Sequence, residues 1–264
     1  MKLTFLGTGT SQGVPVIGCR CAVCRSDDPR DRRLRTSALV EWRGVRLLID
    51  AGPDLRAQLL RADVCRVDGI LLTHEHKDHI GGLDDVRALN FVNYPQTVRP
   101  AEIYATERTL ACVRKDFDYA FEAERYRGVP EMRLHAIDSR TPFRIGAAEI
   151  IPVAGHHSPR FEVTGFRFGP LAYLTDFKTI DEPELRKLEG IEVLVVNALR
   201  ARPHDSHFCL DEALALIGRV QPRRALLTHL SHEMGRAAEL QLPAGVEAAY
   251  DTLEITINDP YEEL

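Results

Sequence analysis

Between Thr73 and Gly82 the chain reads Thr-His-Glu-His-Lys-Asp-His-Ile-Gly-Gly, which sets His74, His76, Asp78 and His79 within six residues. Only ten histidines occur in the whole chain, and packing does not account for three of them directly after the apolar run Ile70-Leu71-Leu72. Clustered imidazole and carboxylate groups are ligands for zinc, manganese or iron. On an extended segment, side chains two residues apart point the same way, so His74 and His76 can share one ion. Asp78 and His79 fall where the chain turns toward a helix and can address a second.

A different chemistry is spelled out near the N-terminus. Cys19, Cys21 and Cys24 form a Cys-x-Cys-x-x-Cys cluster, while Cys65, Cys112 and Cys209 are scattered singly and read as small buried hydrophobes. Three thiolates with one further ligand would close a tetrahedral structural zinc site; a redox trio is the competing reading. The segment before them, Gly7-Thr8-Gly9-Thr10-Ser11-Gln12-Gly13-Val14-Pro15, is glycine-rich but lacks the Lys-Ser/Thr of a phosphate-binding P-loop. It either lines a site or is an irregular connection.

The histidine segment resembles the His-x-His-x-Asp-His motif of the metallo-β-lactamase superfamily, whose members share a four-layered αβ/βα sandwich and hydrolyse esters, lactams and phosphodiesters. The resemblance implies three more ligands in chain order, and each has a match: His157 in Gly-His-His-Ser, Asp176 in Leu-Thr-Asp, and His229 in Leu-Thr-His. By this resemblance His74, His76 and His157 hold one metal, Asp78, His79 and His229 hold the other, and Asp176 bridges them. His156 competes with His157, and Asp176 alone would also suit a helix N-cap. Asp50, in Leu-Ile-Asp-Ala-Gly, matches a further family element and would orient ligand imidazoles by hydrogen bonding. A water bridging two such ions would lose its proton near neutral pH and act as the nucleophile.

Taken together, the Gly-Thr-Gly-Thr start, Gln-Gly-Val-Pro, the three cysteines, the dinuclear motif and Thr228-His229-Leu230-Ser231-His232 are similar to the PhnP-type phosphodiesterases of that superfamily. His232 is then the fourth ligand of the cysteine site, tying it to the segment that carries His229. In that family a histidine near the leaving group assists catalysis. Here it corresponds to His207, with His204 as rival, and general-acid help is a fitting task for an imidazole. Arg200 and Arg202 stand beside it as partners for phosphate oxygens or as solvated surface. The implied cofactors are two divalent active-site ions, manganese or zinc or else iron, and one structural zinc. Asp78 and His207 are the residues expected to carry catalysis.

Strand-like runs that would position these groups are Leu3–Leu6, Ser37–Trp42, Val45–Ile49, Gly69–Leu72, Ile150–Val153, Val163–Phe168 and Leu171–Thr175, separated by turn signals such as Arg43-Gly44 and Gly169-Pro170. Helical patterns cover Asp54–Arg61, Glu107–Asp116, Glu182–Leu188 and Asp211–Arg219, the last with Leu210, Ala213, Leu214 and Ile217 on one face. Hairpins dominate the first half. Strand-helix-strand units toward the C-terminus imply parallel pairing there. No repeat or linker divides residues 1–264, so a single α/β domain is expected.

The 264 residues carry 34 Lys plus Arg against 39 Asp plus Glu, a formal charge of −5. No apolar run reaches the roughly 18–20 residues of a membrane span, and the short apolar start before Gly7 is no secretory core. A cytoplasmic protein without membrane or nucleic-acid partners is expected, and relatives suggest a homodimer by analogy alone.

The first functional expectation is hydrolysis of small cyclic or nucleotide-like phosphodiesters through a hydroxide bridging the two metals. Transfer-RNA 3′ processing of the ribonuclease Z kind needs a phosphate-tracking surface that the charge does not favour. Thioester or lactone hydrolysis fits the metal motif but not the cysteine cluster. A non-catalytic metal sensor would have no use for a complete reactive ligand set. Residues 90–135, with Asp116, Phe117, Asp118 and Tyr119, are expected to cover the site.

Overall fold

The computed structural model describes residues 1–259. Lys2–Gly7 (β1) pairs antiparallel with Ser37–Trp42 (β2), and β2 turns into Val45–Ile49 (β3) through Arg43 and Gly44, both at positive φ (49° and 77°). Such a backbone is what a two-residue hairpin turn requires. The chain then crosses over through Leu55–Arg61 (α1), which buries Leu55, Gln58 and Leu59, to reach Gly69–Leu71 (β4) in parallel with β3. Two short helices follow, Lys77–Ile80 (α2) and Val86–Asn90 (α3), before Ala101–Ala105 (β5), Glu107–Asp116 (α4) and Met132–Ala136 (β6) extend the parallel array.

The second sheet opens with antiparallel strands Phe143–Ile145 (β7), Ala148–Ser158 (β8), Phe161–Phe168 (β9) and Leu171–Leu174 (β10). It closes with parallel strands Val193–Asn197 (β11), Arg224–Thr228 (β12) and Val246–Ala248 (β13), linked through Glu182–Arg186 (α5) and Leu210–Val220 (α6). The last strand, Glu254–Thr256 (β14), returns to pair with β1. The sheet orders are β14-β1-β2-β3-β4-β5-β6 and β13-β12-β11-β10-β9-β8-β7.

Three apolar cores explain the layering. One, with Phe5, Trp42, Phe166, Phe168 and Tyr173, lies between the sheets. A second packs the outer face of the first sheet against α1, α3 and α4 through Leu55, Leu59, Val86, Leu110 and Val113, and a third packs the second sheet against α5 and α6 through Leu185, Ala213 and Leu216. Each fully buried Leu or Phe contributes on the order of 1.5–3 kcal/mol, so both faces of both sheets are covered and four layers result. This is the αβ/βα sandwich of the metallo-β-lactamase fold.

Several expectations need adjusting. Parallel pairing is not confined to the C-terminal half: β3 through β6 are parallel as well. Strands β5 and β6 escape the sequence reading because Ala-Glu-Ile-Tyr-Ala and Met-Arg-Leu-His-Ala carry few β-branched residues. The buried face of α6 also includes Leu216. Among the described residues no helix is long and apolar enough to cross a membrane.

Candidate metal centre

The strands deliver their chemistry at their carboxyl ends, where open sheets of this kind place ligands. Asp50 follows β3, His74 follows β4, His157 sits at the end of β8, Asp176 follows β10 and His229 follows β12. Three of these, Asp50, Asp176 and His229, adopt left-handed backbone with φ of 61°, 64° and 56°. Non-glycine residues rarely adopt it, and such local strain collects at functional sites. Each chain turns sharply off its strand and aims the side chain across the gap between the sheets.

Helix α2 is set by close backbone contact. The Ala51 amide donates to the His79 carbonyl at 2.7 Å, and the Gly82 amide to that of Ala51 at 2.8 Å. A Cβ on Gly52 would lie 1.9 Å from the Asp78 carbonyl oxygen, and one on Gly82 would lie 1.9 Å from that of Gly52. Only glycine permits this approach, and the approach is what presents Asp78 and His79 to the site.

The donor atoms gather as three overlapping groups: His74, His76 and His157; Asp78, His79, Asp176 and His229; and His157, Asp176 and His207. His74 Nε2 lies 2.9 Å from His76 Nδ1. His79 Nε2 lies 3.2 Å from Asp78 and 3.4 Å from Asp176, while His229 Nε2 is 3.1 Å from Asp176. Although close, His79 Nε2 and both ring nitrogens of His229 are buried without a hydrogen-bond partner, and buried polar atoms seldom stay unsatisfied. Convergent imidazole and carboxylate atoms, some orphaned, are what a divalent ion requires. The residues fit the dinuclear centre that the fold family implies.

Supporting atoms orient the rings. Asp50 accepts from the Thr73 amide at 2.8 Å and contacts His79 Nδ1 at 2.7 Å, leaving Nε2 toward the centre. The Thr73 hydroxyl lies 3.0 Å from His74 Nδ1, and His157 Nδ1 donates to the Ser206 carbonyl at 2.7 Å. Burial raises Asp50 above the usual carboxylate range and lowers His74. For Asp176 burial also acts to raise the value, but the charges of His229 and His79 outweigh it and hold the carboxyl well below the ordinary range. His79 is raised because the carboxylates of Asp78, Asp176 and Asp50 overcome its burial. The Asp176 carboxyl is thus favoured in its ionised form, whereas burial works against ionisation of Asp50.

His207 is brought in from the loop after β11: its Nε2 lies 3.0 Å from Asp176 Oδ1. Burial lowers its pKa to about 4, against the pull of the Asp176 carboxylate; an anion arriving at the site acts in the opposite direction. Of the rivals, His156 lies 3.8 Å from Asp181, and His204 is in none of the donor groups but stands behind His207, its Nδ1 3.3 Å from His207 Nδ1. Arg200 and Arg202 both pair with Glu233 at 3.1 Å.

Cys19, Cys21, Cys24 and His232 also converge, with His232 Nδ1 at 3.2, 3.4 and 3.5 Å from the three sulfurs. Amides support the thiols: Val16 donates to Cys24 and Cys24 to Cys21, each at 3.4 Å. The Cys24 amide lowers the Cys21 thiol to about 6, and burial raises Cys24 to about 11. The glycine-rich loop meets the segment between the clusters, since Thr10 donates to the Leu230 carbonyl and Leu230 to that of Thr8.

Part of residues 90–135 does reach the motif. In α4, Arg108 bonds Glu75 at 2.7 Å and lies over the Phe161 ring, Phe161 in turn contacts His76, and Asp116 pairs with Lys77. Tyr119 bonds Asp84 instead. The rest borders a groove of about 1240 Å³ lined by Arg87, Phe91, Tyr94, Tyr126 and Arg127, which none of the site residues lines. Thr73 and Ser206 were missed from sequence. A signal existed for the first, since Leu-Thr precedes His74, Asp176 and His229 alike; none existed for Ser206.

Comparison with known proteins agrees with this geometry. Residues 45–230 match the model of the β-lactamase superfamily domain. A crystal structure described as a new diphosphatase from the PhnP family is 39% identical, with 97% of this chain and 98% of that one covered and a TM-score of 0.89. An octanoyltransferase of Porphyromonas gingivalis is 38% identical over 263 residues, 98% of this chain but 52% of the relative, so the chain spans about half that protein's length. A ribonuclease Z of Pyrobaculum islandicum is 26% identical over 88% of this chain and 87% of its own length. The chain belongs to the metallo-β-lactamase superfamily and, within it, to the PhnP family.

Proposed function

We propose that the protein hydrolyses small phosphodiesters, cyclic or nucleotide-like, at a dinuclear centre. His74, His76 and His157 would hold one divalent ion and Asp78, His79 and His229 the other, with Asp176 between them. Zinc or manganese suits this set, as does iron, and when bound the pair would supply an acidified water and Lewis-acid stabilisation of phosphoryl oxygens. Cys19, Cys21, Cys24 and His232 would hold a structural zinc.

The observation that carries the reading is the charge of the donor set. Six imidazoles, His207 among them, and only two carboxylates converge, so two divalent ions would leave a net positive centre that favours an anionic phosphoryl group. His207 adds a directed donor: its Nε2, on the edge of the centre beside Asp176, is placed to give its hydrogen to the departing oxygen. The buried walls, His74, His79, Asp176 and His229, are each at most 1% exposed, which strengthens these electrostatic contacts. The diphosphatase described for the PhnP-family neighbour supports phosphoryl chemistry.

The test is initial-rate hydrolysis by manganese- and zinc-loaded protein of a chromogenic phosphodiester and a nucleoside diphosphate ester. A phosphomonoester, an octanoyl thioester, a lactone and a precursor transfer RNA are run beside them. Preference for the diester or diphosphate, reduced on the order of a thousandfold or more by Asp78→Ala, is expected. Preference for the thioester would favour acyl transfer, the chemistry in the name of the P. gingivalis relative, and cleavage of the RNA would favour the ribonuclease Z reading.

A further inference from the structure

We infer that Arg108 is a positioning residue that clasps the β8–β9 hairpin against the histidine motif, so that Phe161 walls the open side of the metal centre and limits the size of the ester group accepted there. The inference rests on the phosphodiester reading and goes beyond it by naming what bounds the substrate.

Of His74, His76 and His157, His76 alone is not buried, so the first donor group opens to solvent on its side. The ring against it is Phe161, with centroids 5.3 Å apart. Phe161 begins β9 and is reached from β8 through Pro159 and Arg160, both exposed. The register of the two strands shifts between His156 and Ser158. A bulge of this kind re-aims a side chain, and here it sits at His157. One short hairpin therefore carries a donor on one strand and the wall on the other. His207 touches His157, His229 and Asp176, whereas Phe161 touches His76. With the leaving group on the His207 side, the wall bounds the group that stays on phosphorus.

Little else holds the tip of this hairpin. Strand β7 pairs with β8 only as far as Ile150. Among the described residues, the one hydrogen bond to Pro159 or Arg160 from outside the hairpin is that of Arg108 Nη1 to the Arg160 carbonyl, at 3.2 Å. The same guanidinium bonds Glu75, which stands between His74 and His76, through Nε at 2.7 Å, and its central carbon lies 4.7 Å from the centroid of the Phe161 ring. Three contacts use three parts of one planar fork. A lysine ammonium, being a point charge, does not reproduce them. Arg108 stands there because β5 ends at Ala105, on the side where open sheets present their ligands, and Thr106 caps α4 by accepting from the Thr109 amide. Its side chain is 49% exposed, and an ion pair this open adds little to global stability. Its loss therefore frees the tip and leaves the sandwich folded.

The test compares two retained ester groups on one leaving group, methyl and neopentyl para-nitrophenyl phosphate, hydrolysed by manganese-loaded full-length protein. Phe161→Ala is expected to raise the neopentyl-to-methyl ratio of kcat/KM about tenfold over wild type. Arg108→Ala, which keeps the ring but frees it, should raise that ratio about threefold, and Arg108→Lys should behave like Arg108→Ala. Once Phe161 is gone, removing Arg108 as well should change the ratio by less than about 1.5-fold, because the two act as a unit. Hydrogen exchange followed by mass spectrometry gives a second readout that needs no turnover. Amides of residues 157–163 are expected to exchange about tenfold faster in Arg108→Ala while the cores keep their protection. An unchanged ratio in Arg108→Ala, an equal effect with and without Phe161, unchanged exchange at the tip, or faster exchange spread over the whole chain overturns the inference. If neither diester is turned over, the function reading fails while the exchange still decides whether Arg108 clasps the hairpin.

Discussion

The chain builds two constellations of metal-binding type from one short segment, His229 to His232, and encloses them differently. Around His229 five of the seven donors are buried, the set comes from five elements, and the bracing is by the Asp50 carboxylate and Thr73. Around His232 three of four donors come from a six-residue stretch, all four are partly exposed, and the bracing is by backbone amides. A centre assembled from distant strands inherits its geometry from the whole sandwich, and chemistry can depend on it. A local loop has little geometry without its ion, so the ion must supply the order. The first arrangement suits turnover and the second suits stapling the glycine-rich loop to the segment after β12.

The largest expected effect separates these roles by crossing two variants. His76→Ala removes one half-buried donor from the first constellation and should lower kcat/KM for diesters on the order of a thousandfold, about 4 kcal/mol, with little change in thermal midpoint. Cys24→Ser should do the converse. Loss of a structural ion costs about 3 kcal/mol or more of stability, read as a lower unfolding midpoint and one metal fewer per chain, while turnover of the folded fraction changes less than about threefold. If Cys24→Ser abolished turnover without lowering the midpoint, the cysteine cluster would belong to the chemistry and the contrast would collapse.

Legibility from sequence follows the same division. The convergence of these side chains could be read because their types and order survive as text: His-x-His-x-Asp-His, then His157, Asp176 and His229. The cysteines could be read because they are adjacent. What could not be read is geometry held by backbone. Nothing in Leu-Thr-Asp or Leu-Thr-His announces that Asp176 and His229 leave their strands in left-handed conformation, and the contribution of Ser206 is a main-chain carbonyl, which every residue has. The fold was legible where uninterrupted apolar runs or a strong amphipathic face speak, as in β2, β3 and α6. It was not legible in β5 and β6 or in the four-residue α2, whose place is set by the contact of Gly52 with the Asp78 carbonyl.

An intermediate effect sharpens the account of the buried centre. Asp50 reaches the site only through His79 and Thr73, so Asp50→Asn should leave all seven donors in place yet weaken the hold on the ion, by about 10–100-fold in affinity. Asparagine tolerates left-handed backbone nearly as well as aspartate, so the φ of 61° at this position is retained and folding is not the variable. Competition with a graded chelator measures it. Unchanged affinity would show that Asp50 serves the strand turn alone and that the bracing argument does not distinguish the two clusters.

The smallest expected effect lies between them. Arg200 and Arg202 stand on the loop that leads to His207, where they would be natural partners for phosphate oxygens, but both guanidinium groups are turned to Glu233 at 3.1 Å, and the Arg202 side chain is 80% exposed. Glu233 follows His232 directly, so the pair belongs to the rim of the cysteine cluster. An ion pair this exposed adds little to stability because water and salt screen it. Arg202→Ala should therefore change KM for a diester by less than about twofold, and added salt should leave that ratio unaltered. A tenfold rise in KM that salt abolishes would mean that Arg202 leaves Glu233 when substrate arrives. The loop between the clusters would then be a moving part of the phosphate site, and the static separation between the two constellations would hold only for the free protein.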